Sequence, residues 1–347
     1  MLNFYVQAEF VRRELIMMDH ILGALYGMAL GDAMGMPSEL LSRRRIREIF
    51  RQITTFEDSP AENPAAIDMT KGQFTDDTAQ ALVILDSLME NDFVPDKQII
   101  AKNLIQWAID TDAFSKNILG PSSKAALHAI QAGEDPGPHT VKAITNGAAM
   151  RIAPVGCLFK SADLPKLAKF VLGVSEATHK TDVALGGAGM VAAAVSAAVE
   201  DKSWDEIMQV ASDGYDLTAA YGAETYSASP KARLQVAMAL AKRHADDAEA
   251  FSLSIYETIG TTTLASEAVP AALGMAYYYR DPEKCSLACA NLGGDMDTIG
   301  AMAVAICGAK SGVSGIPAEH IAVLDQSNPV DFHAYADSLL SHRGHVG

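Results

Sequence analysis

The chain reads as an all-α protein, one domain built from many short helices, and three observations carry that reading. Ala, Met and Leu are plentiful while aromatic residues make up only 7% of 347, a mixture that suits packed helices better than sheets. Apolar residues recur at spacings of three and four along most of the chain. No strand–helix alternation and no regularly spaced hairpin signals occur, which argues against a parallel sheet or a sandwich, and no fixed-period repeat points to a solenoid. Apolar residues at 49% and charged residues at 20% supply a core and exclude disordered, collagenous and disulfide-scaffold classes.

Residues 1–16 read as an N-terminal extension ahead of a domain spanning 17–347. Phe4 to Ile16 could form an amphipathic turn or two, with Phe10 and Val11 against Arg12, Arg13 and Glu14. No sustained apolar stretch follows of the kind a signal peptide needs. Either an optional surface segment or a start codon assigned too early accounts for it. The first strong period is Ile21, Leu22, Leu25, Met28 and Ala29, accompanied by glycines spaced by four that let a partner helix approach closely. Gly35 and Pro37 end this helix and turn the chain into Glu39. The polar stretch from Glu57 to Lys71, with Ser59-Pro60 and Asn63-Pro64, reads as a long loop. Leu82, Val83, Leu85, Leu88 and Met89 mark the next helix. Further helical segments fall near 97–110, 122–132, 164–176, 182–200, 204–211, 231–243, 246–258, 267–279, 283–291 and 298–309, separated by turns such as Gly120-Pro121 and Asp135-Pro136-Gly137-Pro138. Val183 to Val199 is nearly uncharged, but it is short, rich in Ala and Gly and flanked by Asp182 and Glu200. It reads as a buried core helix and not a membrane span.

A formal charge of −16 repels phosphate backbones and anionic lipid, so neither nucleic acid nor a membrane surface is an expected partner. Cys157, Cys285, Cys289 and Cys307 form no C-x-x-C pair and read as buried small hydrophobes in a reducing, cytoplasmic setting.

Acids crowd the start of two apolar helices. One is Gly72-Gln73-Phe74-Thr75-Asp76-Asp77-Thr78; the other is Asn291-Leu292-Gly293-Gly294-Asp295-Met296-Asp297-Thr298. Helix capping explains either one alone, with Thr75 or Asp297 accepting from free N–H groups. Together they hold more carboxylates than caps require, and the surplus would repel unless a cation sits between. Oxygen ligands without His or Cys suit hard ions such as Mg²⁺ or Mn²⁺, and four aspartates plus one more acid could hold two. Glu39 reads equally as that further acid or as a surface residue, and Asp32 as a polar partner inside the bundle. Gly120-Pro121-Ser122-Ser123 reads as a Ser cap after a Pro turn or as a phosphate-holding helix start. His179 on its own reads as a satisfied core or surface residue.

These segments together resemble the ADP-ribosylglycohydrolase family, the class that includes the dinitrogen-reductase-activating hydrolases, and within it an uncharacterised bacterial branch. The resemblance runs from Ile21 to Gly308 through GALYGMALGDAMGMPSE, FTDDT, GPSSKAAL, NGAAMRIAP, THK and NLGGDMDTIGA. It implies an all-α orthogonal bundle with a binuclear Mg²⁺ or Mn²⁺ centre in a cleft. Thr75, Asp76, Asp77, Asp295, Asp297 and Thr298 would be its ligands, and Glu39 matches the family glutamate near the metals. Gly120, Ser122 and Ser123 match a phosphate-contacting loop, and Asn146, Gly147 and His179 match residues lining the ribose pocket. Met296 departs from the small or polar residue common between the late aspartates. Lys142-Ala143-Ile144-Thr145 stands where some members carry an acidic or aromatic residue.

The resemblance implies hydrolysis of a ribosyl bond through an oxocarbenium-like transition state, with a positioned water and a carboxylate base among Glu39, Asp76 and Asp295. The expected substrate is a small ribosyl or ADP-ribosyl compound, an ADP-ribosylated protein included. A second reading gives the same metal chemistry to a nucleoside or other small N-ribosyl compound. A third is a non-catalytic, crystallin-like protein on the same fold.

Overall fold

The computed structural model describes residues 2–63, 65–116 and 118–346, with side chains from residue 12 onward. Seventeen α-helices and no strands occur among them. In chain order these are α1 (Leu2–Gly35), α2 (Arg43–Phe50), α3 (Asp76–Glu90), α4 (Lys97–Asp110), α5 (Pro121–Gln131) and α6 (Gly137–Thr140). Then come α7 (Ala153–Cys157), α8 (Leu164–Ser175), α9 (Asp182–Val199), α10 (Trp204–Ala219), α11 (Pro230–Arg243) and α12 (Ala248–Ser254). Last are α13 (Ala265–Tyr279), α14 (Pro282–Ala290), α15 (Met296–Ser311), α16 (Ala318–Ser327) and α17 (Phe332–His342). The periodic segments all form helices, α10 running eight residues beyond the expected 204–211. Helix α12 is shorter than expected because its last turn widens into a π-helical turn at Ile255–Ile259, closed by Gly260 at φ 87°.

The architecture is organised by α1 and α15, which pack antiparallel along a seam of small residues. Gly23 faces Gly308, Gly27 faces Val304, Gly31 faces Gly300 and Gly35 faces Met296, and a Cβ on any of these glycines would collide with the α15 backbone. The four-residue spacing therefore brings two main chains into contact, and it fixes Asp32 on one helix relative to Asp297 on the other. Helix α9 lies across this pair, buried at every position except Asp182. By length and composition it is the one described helix that could cross a membrane, and it is instead enclosed by protein. All four cysteines are buried and unpaired.

Two features show how the chain accommodates residues that oppose helix. Pro270 inside α13 cannot donate to Ser266 O, and that carbonyl accepts from Arg233 Nη1 at 2.9 Å instead. The expected long loop before α3 contains no α-helix and is held down locally. Asn63 Nδ2 donates to Met36 O at 3.0 Å, and Lys71 N donates to Asp58 Oδ1 at 2.8 Å; Pro64 lies outside the described residues. The N-terminal segment continues α1 as one helix, with Arg12 to Ile16 exposed. The side chains of Phe10 and Val11 lie outside the described residues.

Candidate active site and metal centre

The two acid-rich helix starts meet. Thr75 Oγ1 donates to Asp297 Oδ2 at 3.3 Å, and Thr298 Oγ1 donates to Asp77 Oδ1 at 3.2 Å. Capping does not explain the acids. At α3 the cap is supplied by Thr75 and by Asp32, which reaches in from α1. Asp32 Oδ1 accepts from Thr75 N at 2.8 Å, and Oδ2 accepts from Thr78 N at 3.0 Å and Thr78 Oγ1 at 2.6 Å. At α15 the N-cap residue Asp295 makes no side-chain cap bond. Asp76, Asp77, Asp295 and Asp297 are thus left for another purpose.

The loop that presents Asp295 depends on glycine. Gly293 and Gly294 have φ of 92° and 109°, and a Cβ on Gly293 would lie 2.6 Å from Arg43 N. Gly294 N donates to Leu41 O at 2.9 Å, and Leu40 N donates to Gly294 O at 2.6 Å. These bonds clamp the Glu39 segment onto the loop, so that half-buried Glu39 faces the aspartates.

The acids form two adjoining groups. Asp32, Asp77 and Asp297 each offer an oxygen within 4.8 Å of the others, and so do Glu39, Asp295 and Asp297. Asp297 belongs to both. Asp77 Oδ2 and Asp297 Oδ1 are buried with no hydrogen-bond partner, an arrangement that is expensive without a cation. Burial, then the neighbouring Asp32 and Asp295 charges, push the Asp76 carboxyl up to about 8. Burial raises Asp32 and Asp295 to about 6, and burial with mutual repulsion holds Asp77, Asp297 and Glu39 well above the usual carboxylate range. Oxygen donors held protonated by burial and by one another's charge suit hard divalent cations. Met296 points away from them into the hydrophobic core.

A chain of polar groups backs the acids. Buried Arg151 donates through Nη1 to Gln80 Oε1 and through Nη2 to Thr178 Oγ1, both at 2.6 Å. Gln80 Nε2 passes the link to Asp76 Oδ2 at 2.6 Å. In the other direction His179 Nδ1 lies 2.9 Å from Thr178 Oγ1, His179 Nε2 lies 3.0 Å from Thr145 Oγ1, and Thr145 Oγ1 donates to Ser122 Oγ at 3.0 Å. His179 thus bridges the two threonines as a neutral ring. Burial and the nearby Arg151 charge push its pKa down to about 3, in agreement.

Gly120, Ser123, Asn146, Gly147, Glu39, Asp76, Asp77, Asp295, Asp297 and Thr298 all border one cleft of about 790 Å³ including its open mouth. Asn146 Nδ2 donates to Asp295 Oδ2 at 2.6 Å. Ser122 and His179 stand one layer back, joined to the cleft through Thr145, and Thr75 lies at the junction of the helix starts. Gly147 is small because a Cβ there would meet His179 Cε1 at 2.7 Å. No side chain caps α5, so Ser122 and Ser123 do not serve as plain caps. Thr145 and Gln80 were not assigned a role from sequence, while Arg151 and Thr178 stood out there only as polar groups amid apolar helices.

The fold and the site define an all-α protein with a ring of carboxylates in one cleft. Residues 13–346 match the family described as ADP-ribosylglycohydrolase, and the chain belongs to that family. It is 44% identical over 330 residues to YegU, an uncharacterised protein of Escherichia coli K12, covering 94% of this chain and 97% of that one. It is 24% identical over 333 residues to the ADP-ribosyl-[dinitrogen reductase] glycohydrolase of Rhodospirillum rubrum, with the same coverage of each. A solved ADP-ribosylglycohydrolase-related protein complex shares the fold, with a TM-score of 0.69 at 22% identity, over 94% of this chain and 99% of that one.

Proposed function

We propose that this protein is a divalent-metal-dependent hydrolase that cleaves the ribosyl glycosidic bond of ADP-ribosyl conjugates. The observation that carries the proposal is the pair of carboxylate groups sharing Asp297, with two buried oxygens that no protein donor satisfies. Asp32, Thr75, Asp76, Asp77, Asp297 and Thr298 would hold one Mg²⁺ or Mn²⁺, and Glu39, Asp295 and Asp297 would face the second. When bound, the ions supply charge that orients ribose hydroxyls and makes water a better nucleophile.

The chain's own residues do the rest. The α5 start, with Gly120 and Ser123 on the cleft wall, offers uncapped N–H groups to a diphosphate. Asn146 and Gly147 border the ribose position. Asp295 is tied to Asn146 and Asp76 to Gln80, so Glu39 at the mouth is the acid best placed to take the proton of the attacking water. The water oxygen joins C1″ as the bond to the leaving atom breaks with its electron pair, and the proton passes to that atom. Cleft carboxylates stabilise the positive charge developing at C1″.

The test is metal-dependent release of ADP-ribose by the purified protein, with Mn²⁺ or Mg²⁺, from a panel of ADP-ribosyl conjugates that differ in the leaving group: arginine, a serine peptide and nicotinamide. Activity should vanish in EDTA and in Asp77→Asn and Asp295→Asn, with the fold retained. Full activity in either variant or in EDTA would refute the proposal.

A further inference from the structure

A second lobe opens off the same acids, and its wall is of a different kind. Glu39, Asp76 and Ile118 border both lobes. Beyond them the second lobe is formed by Met69, Phe74, Ala79 and Trp107, with Thr111 at its rim. These four apolar side chains and Ile118 are only half-buried, so each turns part of its surface to the empty space. Among the described residues, the hydroxyls there are already engaged. Thr111 Oγ1 donates to Trp107 O at 2.8 Å, and Thr75 Oγ1 donates to Asp297.

Building on the hydrolase reading above, we infer that this lobe is the leaving-group pocket and that it takes a flat aromatic nitrogen heterocycle of nucleobase or nicotinamide type. The bond to be cut must lie where Glu39 and Asp76 face both lobes. With the phosphate-bearing side directed toward Gly120 and Ser123, the departing group is directed at Trp107. A peptide placed there would leave backbone N–H and C=O groups without partners. A guanidinium would leave water for a wall whose only opposite charges, among the described residues, are the acids of the carboxylate cluster. A heterocycle loses neither, because its faces are apolar and its polar edge can point to the mouth. Water supplies hydroxyl to C1 as the C1–N bond breaks. The electron pair goes to the ring nitrogen. A nucleobase nitrogen then takes up the water's other proton, whereas a pyridinium nitrogen is neutralised by the pair alone and that proton passes through the carboxylate to solvent; the products are a ribosyl hemiacetal and the free base.

Trp107 and Trp204 are the only tryptophans, and Trp204 is at the start of α10. A Trp204→Phe protein therefore reports on Trp107 alone. Adenine and nicotinamide should quench its fluorescence saturably, and free arginine or N-acetylserine amide should not. Trp107→Ala should raise KM for N-ribosyl base substrates about tenfold or more, the range of a lost base–aromatic stack, with kcat within about threefold. Trp107→Phe should restore most of the binding. Metal-dependent hydrolysis of arginine or serine conjugates, with no quenching by either base and no effect of Trp107→Ala, would overturn the pocket and leave the hydrolase standing. Base quenching without hydrolysis of any ribosyl compound would keep the pocket and overturn the hydrolase.

Discussion

Replacing Gly35 by alanine isolates what the glycine seam does for the acid cluster. Gly35 has φ −79°, so its backbone accepts alanine without strain and the effect is purely steric. The new Cβ would lie 2.5 Å from Asp297 N and closer still to Met296 O. Ordinary contact begins near 3.4 Å, so α1 and α15 must part by about 0.9 Å at the residue shared by both carboxylate groups. No flexible side chain stands between the main chains to absorb this. The cost should reach the upper end for overpacking, ~3 kcal/mol. Unfolding entropy of about 2.1 cal/mol/K per residue predicts a fall in Tm of roughly 4 °C for a chain of 347. Hard-cation ligands sit at about 2.0–2.1 Å for Mg²⁺, so the same displacement should weaken Mn²⁺ or Mg²⁺ binding at least tenfold. Thermal melting in EDTA gives the first number and calorimetric titration with Mn²⁺ the second. Gly120→Ala, whose Cβ meets nothing within 4 Å, is the control and should melt within about 1 °C of the parent. A Gly35→Ala protein with unchanged Tm and unchanged Mn²⁺ affinity would refute the account of the seam.

The metal-free protein should lose stability as pH rises. Asp76 is held up to about 8 against an unfolded value near 4, so its stabilising proton is fully present below about pH 4 and lost as pH climbs through 8. Melts in EDTA from pH 5 to 8.5 should fall progressively and flatten when Mn²⁺ is added; a level curve in EDTA would contradict the crowding of the acids. Arg151→Lys should lower both activity and Tm, because one ammonium does not reproduce the forked contacts to Gln80 and Thr178; wild-type kcat/KM in that variant would disconnect the polar chain from Asp76. A chain beginning at Met18 should hydrolyse substrate and melt within about 5 °C of the parent, since Arg12 to Ile16 are exposed. A larger drop would make residues 1–16 part of the packed structure.

Much of the site was legible because its signals are local. Two acids and a threonine within four residues, repeated at a second helix start, exceed what capping needs, and glycines four apart in an apolar helix announce a close neighbour. The capping question itself could not be closed from sequence, because the group that closes it is Asp32. A single acid in an apolar helix carries no local signature, and its partners Thr75 and Thr78 lie more than 40 residues away. The same holds for Arg151 and Thr145, whose roles exist only through hydrogen bonds to distant segments. His179 shows the converse. Its own context read as a satisfied core or surface residue, and only the family resemblance set it by the ribose pocket; it is fully buried behind Thr145 and Gly147, which border the cleft.

The seam between α1 and α15 also governs when the molecule can become itself. Gly23 and Gly308 are about 285 positions apart, and nothing synthesised in between can substitute for the α15 backbone against which the glycine face of α1 closes. At about 5–20 residues per second, the ribosome needs roughly 15–60 s to deliver the missing half. Throughout that interval the nascent chain presents an apolar, groove-bearing helix and a solitary Asp32 with no α15 carboxylate beside it. The two carboxylate groups that share Asp297 are consequently completed late in the life of each molecule. Any product halted before α15 leaves the glycine face of α1 uncovered, the kind of exposed apolar surface that makes incomplete chains prone to aggregate.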